Sequence, residues 1–318
     1  MKAEINLIVF ELLIFQVKLS PFNPNSKILN HHNFNFTINP GHTVCEKSRI
    51  FLLVAVNTRP ENHRHREIIR ESWTRRSLFS DLRIVFLLGS TNNALTQRRI
   101  LLEANLYRDI VQQDFMDTYR NLTLKGVMSL KWISQYCANV DFLLKSDDDV
   151  LINIFQIIKY LKENEIKPKS ILCNLMSNMK VIRDQTSKWF ISKQEYQYEI
   201  FCDYCSGVGY MITGDLIKPM LNISYHIHFM WIDDVYMSGI LGTALKANYY
   251  SLSQKYWFGP IDQIENNFEK TNLFFVYLSQ EFLKFSNDFA KSLKKILKIF
   301  YSPFRISKST RYTSDRNI

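Results

Sequence analysis

Three consecutive carboxylates, Asp147, Asp148 and Asp149, stand between two apolar runs, Phe142-Leu143-Leu144 and Val150-Leu151-Ile152. If the first run is a buried strand, the acids sit at its C-terminal tip, where open α/β sheets collect their ligand sites. Alternate residues of an extended chain face the same way, so Asp147 and Asp149 point together and Asp148 points opposite. Two converging carboxylates repel unless a cation lies between them, and hard oxygen donors suit Mg²⁺ or Mn²⁺. A solvated acidic turn gives the same three letters, and the short motif alone does not separate the two readings. The other chemical pattern is Cys202-Asp203-Tyr204-Cys205. Its C-x-x-C spacing occurs in zinc sites, but no second such pair follows and the nearest histidines, His226 and His228, sit among aromatic residues. Disulfides in an oxidising compartment fit better. With Cys45, Cys137 and Cys173 the cysteine total is odd, so one thiol is free or paired between chains, and the connectivity stays open.

The acids are useful only on a frame that holds them. Ile50 to Val56 is a continuous apolar run, the mark of a strand buried on both faces of a parallel sheet, and it ends in the turn Asn57-Thr58-Arg59-Pro60. Glu61 to Trp73 has helical spacing, with Ile69 and Trp73 on one face and Arg64, Arg66 and Arg70 along it. Arg83 to Gly89 reads as a second buried strand, Leu95 to Tyr107 as a helix and Asp109 to Gln112 as a short strand. Thr118 to Tyr136 follows as a long helix carrying Leu124, Val127 and Met128 at helical spacing. After the acid-tipped strand, Ile154 to Lys162 is again helical. Strands separated by helices of this length form βαβ units and a mostly parallel sheet flanked by helices, an α/β fold. Beyond Pro168 the pattern loosens and aromatics accumulate at Trp189, Phe190, Tyr196, Tyr198, Phe201, Tyr204 and Tyr210, which suits a substrate pocket and ordinary core packing about equally.

At 318 residues, 46% of them hydrophobic, the chain can bury a sizeable core, which excludes wholesale disorder. The net charge of +10 suits an anionic partner without choosing among nucleic acid, a membrane surface and a phosphorylated substrate. Near the N-terminus Ile5 to Val17 is apolar but interrupted by Glu11 and shorter than the roughly 20 residues of a membrane span. It reads as a signal peptide, a short signal anchor or an amphipathic surface helix. Sequons at Asn35, Asn121 and Asn222 accompany it.

An ordered series of motifs over about residues 48–245 resembles the β-1,3-galactosyltransferase family of inverting glycosyltransferases. Arg66-Glu67-Ile68-Ile69-Arg70-Glu71-Ser72-Trp73 is similar to its R-x-x-I-R-x-[ST]-W. Asp114 to Lys125, DFMDTYRNLTLK, is similar to its D-F-x-D-x-Y-x-N-L-T-x-K, and Lys145-Ser146-Asp147-Asp148-Asp149-Val150 to its K-x-D-D-D-V. Lys188-Trp189-Phe190-Ile191-Ser192, Tyr204-Cys205-Ser206-Gly207-Val208-Gly209-Tyr210 and Asp233-Asp234-Val235-Tyr236 complete the series. Each motif is weak alone; the order and spacing carry the resemblance.

The resemblance implies a GT-A nucleotide-diphospho-sugar transferase fold with a Rossmann-like sheet. It implies a UDP-sugar donor, a glycan, glycoprotein or glycolipid acceptor, and Mn²⁺ (with Mg²⁺ as the substitute) held by Asp147 and Asp149. Asp147 and Asp148 would also line the UDP-sugar site. Arg70 and Lys125 would neutralise phosphate; otherwise Arg70 pairs with a carboxylate and Lys125 solvates a helix. Gly207, with Ser206, would let backbone approach the donor sugar, while Trp189 and Trp231 would stack on sugar rings or pack the core. Asp234 would be the base that takes the acceptor proton. Asp233 would shape the site or cap the helix read from Val235 to Leu245.

By the same resemblance residues 1–19 are a hydrophobic signal anchor or signal peptide, 20–47 a stem, 48–260 the catalytic domain and 261–318 a basic helical extension. In the extension Phe289, Leu293, Ile296, Leu297 and Phe300 share one face and dock by it. The implied place is the Golgi membrane, single-pass with a lumenal catalytic domain. Three departures stand out. No His follows His228 to serve as a further metal ligand, Tyr236-Met237-Ser238-Gly239 is one residue longer before its Gly than a common family form, and the N-terminal apolar run is short for an anchor. Transfer of N-acetylglucosamine or N-acetylgalactosamine on the same fold remains open, as does a catalytically silent sugar-binding relative, against which the intact Asp147, Asp149 and Asp234 argue. A metal-dependent nuclease or nucleic-acid binder would leave the secretory signals and the aromatic half unexplained, so nucleic acid is not an expected partner.

Overall fold

The computed structural model describes residues 27–45, 49–74, 80–260, 263 and 272–278; the apolar run of 1–19 and the helix read over 289–300 lie outside them. After a short edge strand, β1 (Phe36–Ile38), its centre is a parallel block of largely apolar strands: β2 (Ile50–Asn57), β3 (Leu82–Ser90), β4 (Ile110–Met116) and β5 (Val140–Asp147). Strand β6 (Val150–Ile152) follows one turn later. Strands β7 (Ser170–Met176), β8 (Tyr204–Thr213) and β9 (Asn248–Ser251) complete an eight-stranded sheet in the order β1-β4-β3-β2-β5-β8-β7-β9. The β4-β3-β2-β5 block is parallel, β8 runs antiparallel to both neighbours, and β7 pairs parallel with β9. The α/β expectation holds, with antiparallel strands confined to the aromatic half and to edge strand β1.

Burial is nearly continuous along β2, as a strand covered on both faces requires, and successive side chains enter opposite layers. Leu53 and Ala55 pack with α3 (Leu122–Tyr136) and α5 (Gly214–Ser224). Leu52, Val54 and Val56 pack with α1 (His63–Glu71), α2 (Ala94–Tyr107) and α4 (Ile154–Glu163). Helix α1 is shorter than the span read from sequence, and a 3₁₀ turn over Tyr119–Asn121 precedes α3. After Asp147 the chain turns through Asp148 and Asp149, so β6 leaves the main sheet. It joins β10 (Tyr256–Trp257) and β11 (Phe275–Tyr277) in a second sheet ordered β10-β11-β6.

Two boundaries read from sequence move. The stem is part of the fold from residue 27: Leu29 and Asn30 donate backbone N–H groups to Tyr225 O, and β1 pairs with β4. Asn30 Nδ2 donates to Ser224 O at 2.8 Å. The boundary at 260 is too early, because Phe274, Phe275 and Val276 are core residues and Leu278 N donates to Asp149 O. Disulfides join Cys45 to Cys137 and Cys173 to Cys205, leaving Cys202 as the free thiol among the described residues. The C-x-x-C pair is therefore split between a disulfide and a thiol, and no zinc site forms from it.

Candidate functional site

The strand tips of β2, β5 and β8, the start of α3 and the irregular segment 177–203 surround a cavity of about 840 Å³, within the usual range for a small-ligand site. Asp147, Asp148, Asp149, Ser206, Gly207, Asp233, Asp234, Lys125 and Trp189 all line it. Arg70 does not. Its guanidinium is saturated by Asp109 (2.8 Å) and Glu103 (2.7 Å) and lies over the rings of Phe86 and Tyr107. The phosphate role read for Arg70 is thus corrected to a structural one, since a fully paired, aromatic-packed arginine has no face left for a ligand. Lys125 reaches the cavity but is also committed, to Asp117 at 2.9 Å and to Thr58 O at 2.6 Å.

The three acids of the opening motif diverge. Asp148 is turned toward α1 and held there by Thr58 Oγ1 (2.5 Å) and Asn62 Nδ2 (2.9 Å), with His65 Nδ1 3.7 Å from its other oxygen. Burial alone would raise its pKa, but hydrogen bonds and charge from His65, with those from Thr58 and Asn62, outweigh it and hold the carboxyl below the usual range. It shapes the turn, and its oxygens are engaged by protein, which corrects its placement as a donor contact. Asp149 has no comparable help: burial, then the charges of Asp147 and Asp148, push its pKa up to about 7. Burial also raises Asp147, opposed by the nearby Lys145.

Lys145 was missed as a site residue, although it lies two positions before Asp147 on one strand and so on its face. Its Nζ is 2.9 Å from Asp147 Oδ1, 3.4 Å from Asp233 Oδ2 and 2.7 Å from Gly207 O. One ammonium thus ties the tip of β5, the loop before the last helical segment, and β8. Burial works against its charge, but Asp147 and Asp233 outweigh burial and hold its pKa above the usual lysine range.

Asp234 occupies the far side of the same cleft. A Cβ on Gly207 would come within 3.2 Å of Asp234 Oδ2, so the glycine leaves the room in which that carboxylate sits. Burial and then the Asp233 charge raise the Asp234 pKa to about 7. Its Oδ1 accepts from Val235 N at 2.8 Å, so Asp234 rather than Asp233 caps the helix that follows. That helix opens as a π-helix, Val235–Ile240, before α6 (Leu241–Ala244). The segment Tyr236-Met237-Ser238-Gly239 lies wholly within this π-helix. Ser238 Oγ donates to Asp234 O at 2.6 Å and accepts from Cys205 N at 2.8 Å, fastening the acid's backbone to β8.

The remaining wall is aromatic. Trp189, 44% exposed, donates Nε1–H to Tyr119 Oη at 2.9 Å. Trp231 is buried, with the Arg120 guanidinium 4.5 Å above its ring and Tyr119 against its edge. Arg183 gathers the segment 177–203 by donating to Ile191 O, Tyr196 O and Tyr198 O.

Two carboxylates at the cavity wall, Asp147 and Asp149, offer hard oxygen donors with excess negative charge, which fits Mg²⁺ or Mn²⁺. Among the described residues no cluster of three or more His, Cys, Asp or Glu forms a self-sufficient cage. That also fits, because such ions commonly rest on one or two carboxylates plus substrate phosphates.

The sheet presents two groups of carboxylates to one cleft that faces an aromatic wall, and likeness to known proteins makes this chain a glycosyltransferase. The chain belongs to the galactosyltransferase family, whose model matches residues 64–253. It is 30% identical to human beta-1,3-galactosyltransferase 1 over 68% of this chain and 67% of that protein. It is 31% identical to human beta-1,3-galactosyltransferase 5 over 69% and 71%, and 33% identical to human beta-1,3-galactosyltransferase 2 over 65% and 50%. Among solved structures, the galactosyltransferase LgtC in complex with donor and acceptor sugar analogues aligns over 78% of this chain and 95% of that chain, at 12% identity and a TM-score of 0.42.

Proposed function

We propose that this enzyme is a metal-dependent inverting β-1,3-glycosyltransferase that moves galactose from UDP-galactose to a glycan acceptor, with Asp234 as the base. The observation that carries the proposal is Asp234 itself. It is a carboxylate held near neutral pKa, open to the same cavity as Asp147 and Asp149, and given its space by Gly207. Such a group is poised to accept a proton at physiological pH. Inversion needs the acceptor oxygen to attack the anomeric carbon opposite the departing UDP, as its proton passes to that carboxylate.

Asp147 and Asp149 would hold the cation, whose contribution when bound is to neutralise charge on the diphosphate. Lys145 keeps Asp147 and Asp233 in fixed relation, and the Trp189–Tyr119 wall bounds the side open to the acceptor. The paired cysteines support a secretory, lumenal setting, for which we take the Golgi. No helix among the described residues is long and apolar enough to cross a membrane. Attachment through residues 1–19 belongs to the same proposal.

The test is UDP release from a panel of UDP-sugars with and without Mn²⁺, N-acetylglucosamine and N-acetylgalactosamine donors included. Galactose should lead, and only with the cation; a folded protein idle with every donor would sink the proposal. In a parallel titration Asp149→Ala should weaken Mn²⁺-dependent UDP binding.

A further inference from the structure

Helix α2 turns Ile100 and Ala104 into the core, yet its outer side is apolar as well. Leu95, Leu102 and Leu106 are seven and four positions apart and so fall on one line of the helix. They are 71%, 64% and 72% exposed, more than any other large apolar side chain among the described residues. A surface helix ordinarily turns charged and polar groups outward, and here Arg98 and Arg99 only flank the leucines. A line of exposed leucine about 16 Å long calls for a cover.

The fold indicates what supplies it. The described residues end at Leu278, which shares a small cavity with Ile68 and Ile69 of α1. Helix α1 is in turn joined to α2 by Arg66 and Arg70, both paired with Glu103. The chain beyond Leu278 therefore leaves from the layer to which α2 belongs. The chain before residue 27 connects across the sheet, where Leu29 N donates to Tyr225 O at the end of α5. Packed helices lie about 8–10 Å apart, which puts α2 within about 20 Å of Leu278. Residues 279–288 can span up to about 33 Å. They lead to Phe289, Leu293, Ile296, Leu297 and Phe300, which repeat at helical spacing over the same length of chain as Leu95 to Leu106. Lys291, Lys294, Lys295 and Lys298 fall opposite that stripe, so contact through it keeps them clear of Arg98 and Arg99, and Asp288 stands at its near end. Three leucines are too little surface to hold two molecules together, which takes about 1,000 Å². A tethered segment needs far less, because a short linker gives it a millimolar effective concentration.

We propose that residues 289–300 form a helix that packs its apolar stripe along Leu95, Leu102 and Leu106, making the C-terminal segment the outer cover of α2. Strand β11 is then held at both ends, by its ladder to β6 and by the docked segment beyond Leu278. Because Tyr277 lines the cavity and Leu278 N donates to Asp149 O, the cover also secures that edge of the cavity.

The experiment follows tryptic cleavage of the full native chain by mass spectrometry in the wild type, Leu102→Asp, Leu106→Asp and Leu293→Asp. Each variant should be cut at Lys291, Lys294, Lys295 and Lys298 at least about 10-fold faster than the wild type, the scale of burying one leucine. Cleavage between residues 49 and 257 should keep its wild-type rate, which separates release of the segment from loss of the fold. A second measurement pairs Leu293→Cys with Leu102→Cys, or with Ile28→Cys on the far side of the sheet. Mild oxidation should cross-link the first pair within the monomer at least about 10-fold faster than the second. Equal cleavage in all four proteins, or equal cross-linking of the two pairs, overturns the inference. A cross-linked dimer that grows with protein concentration also overturns it and gives the face to a second copy. Wild-type binding to phosphatidylcholine–phosphatidylserine vesicles that Leu102→Asp abolishes overturns it too, and gives the face to a lipid surface.

Discussion

As the proposed base, Asp234 combines two demands on one side chain, since it would have to be deprotonated to act and yet lies where burial disfavours charge. Its raised pKa sets the pH response. The rate constant for transfer, kcat/KM, should rise through about pH 7 and level off above it, and Asp234→Asn should cut turnover by about 10²- to 10⁴-fold while leaving UDP binding intact. The stability sign is opposite. A carboxyl raised in the fold stabilises fully below its unfolded value near 3.9 and loses that contribution as pH climbs to about 7. Thermal melts without divalent cation should therefore show Asp234→Asn gaining on the wild type between those limits. Arg70 makes the contrasting case. Removing it strands Asp109 and leaves Glu103 to Arg66 alone, so Arg70→Ala should cost about 3–5 kcal/mol in denaturant unfolding, with UDP affinity of the folded fraction unchanged.

At the scale of elements, the π-helix and β8 hold the acid in place together. Ser238→Ala removes the hydroxyl that both donates to Asp234 O and accepts from Cys205 N. It should lower stability by about 1–3 kcal/mol and reduce turnover more than UDP affinity, which steady-state kinetics would separate. The π turn was not legible in the sequence, because helix periodicity carries no sign of a single skipped hydrogen bond. Strands β2, β3 and β5 were legible because strands buried on both faces have no polar alternation to blur them. The strap of residues 27–45 was hidden by its polarity. It is anchored through backbone groups and Asn30, which leave no hydrophobic pattern. Strand β11 was too short to register. Motif order brought out Asp147, Asp149 and Asp234, which line one cavity, whereas Arg70 lies outside it, since helix spacing does not say which neighbours a long side chain will find. Lys145 could have been found from its place two residues before Asp147.

Taken whole, the molecule is closed at its N-terminal side by the strap, which pairs with β4, meets the end of α5 and is locked to the end of α3 by Cys45–Cys137. A chain beginning at residue 27 should therefore melt at a clearly higher temperature than one beginning at residue 49. The disulfide alone is worth about 2–4 kcal/mol, and calorimetry of Cys45→Ser in the longer chain would separate its share from that of Cys173–Cys205. The +10 net charge suits a polyanionic donor but is spread over the chain, and the cleft itself concentrates acids. Arg183 carries a different implication. The strand-tip side of the cleft is locked by sheet ladders, whereas the segment 177–203 is held by a few backbone bonds and by one arginine that donates to three carbonyls. The two sides can thus diverge at different rates. Apart from buried Ile191, residues 184–200 can be rewritten so long as the clasp survives, which under the proposed function would give descendants new acceptor tastes around an inherited donor grip, and a segment exchanged between relatives would be the laboratory form of the same event.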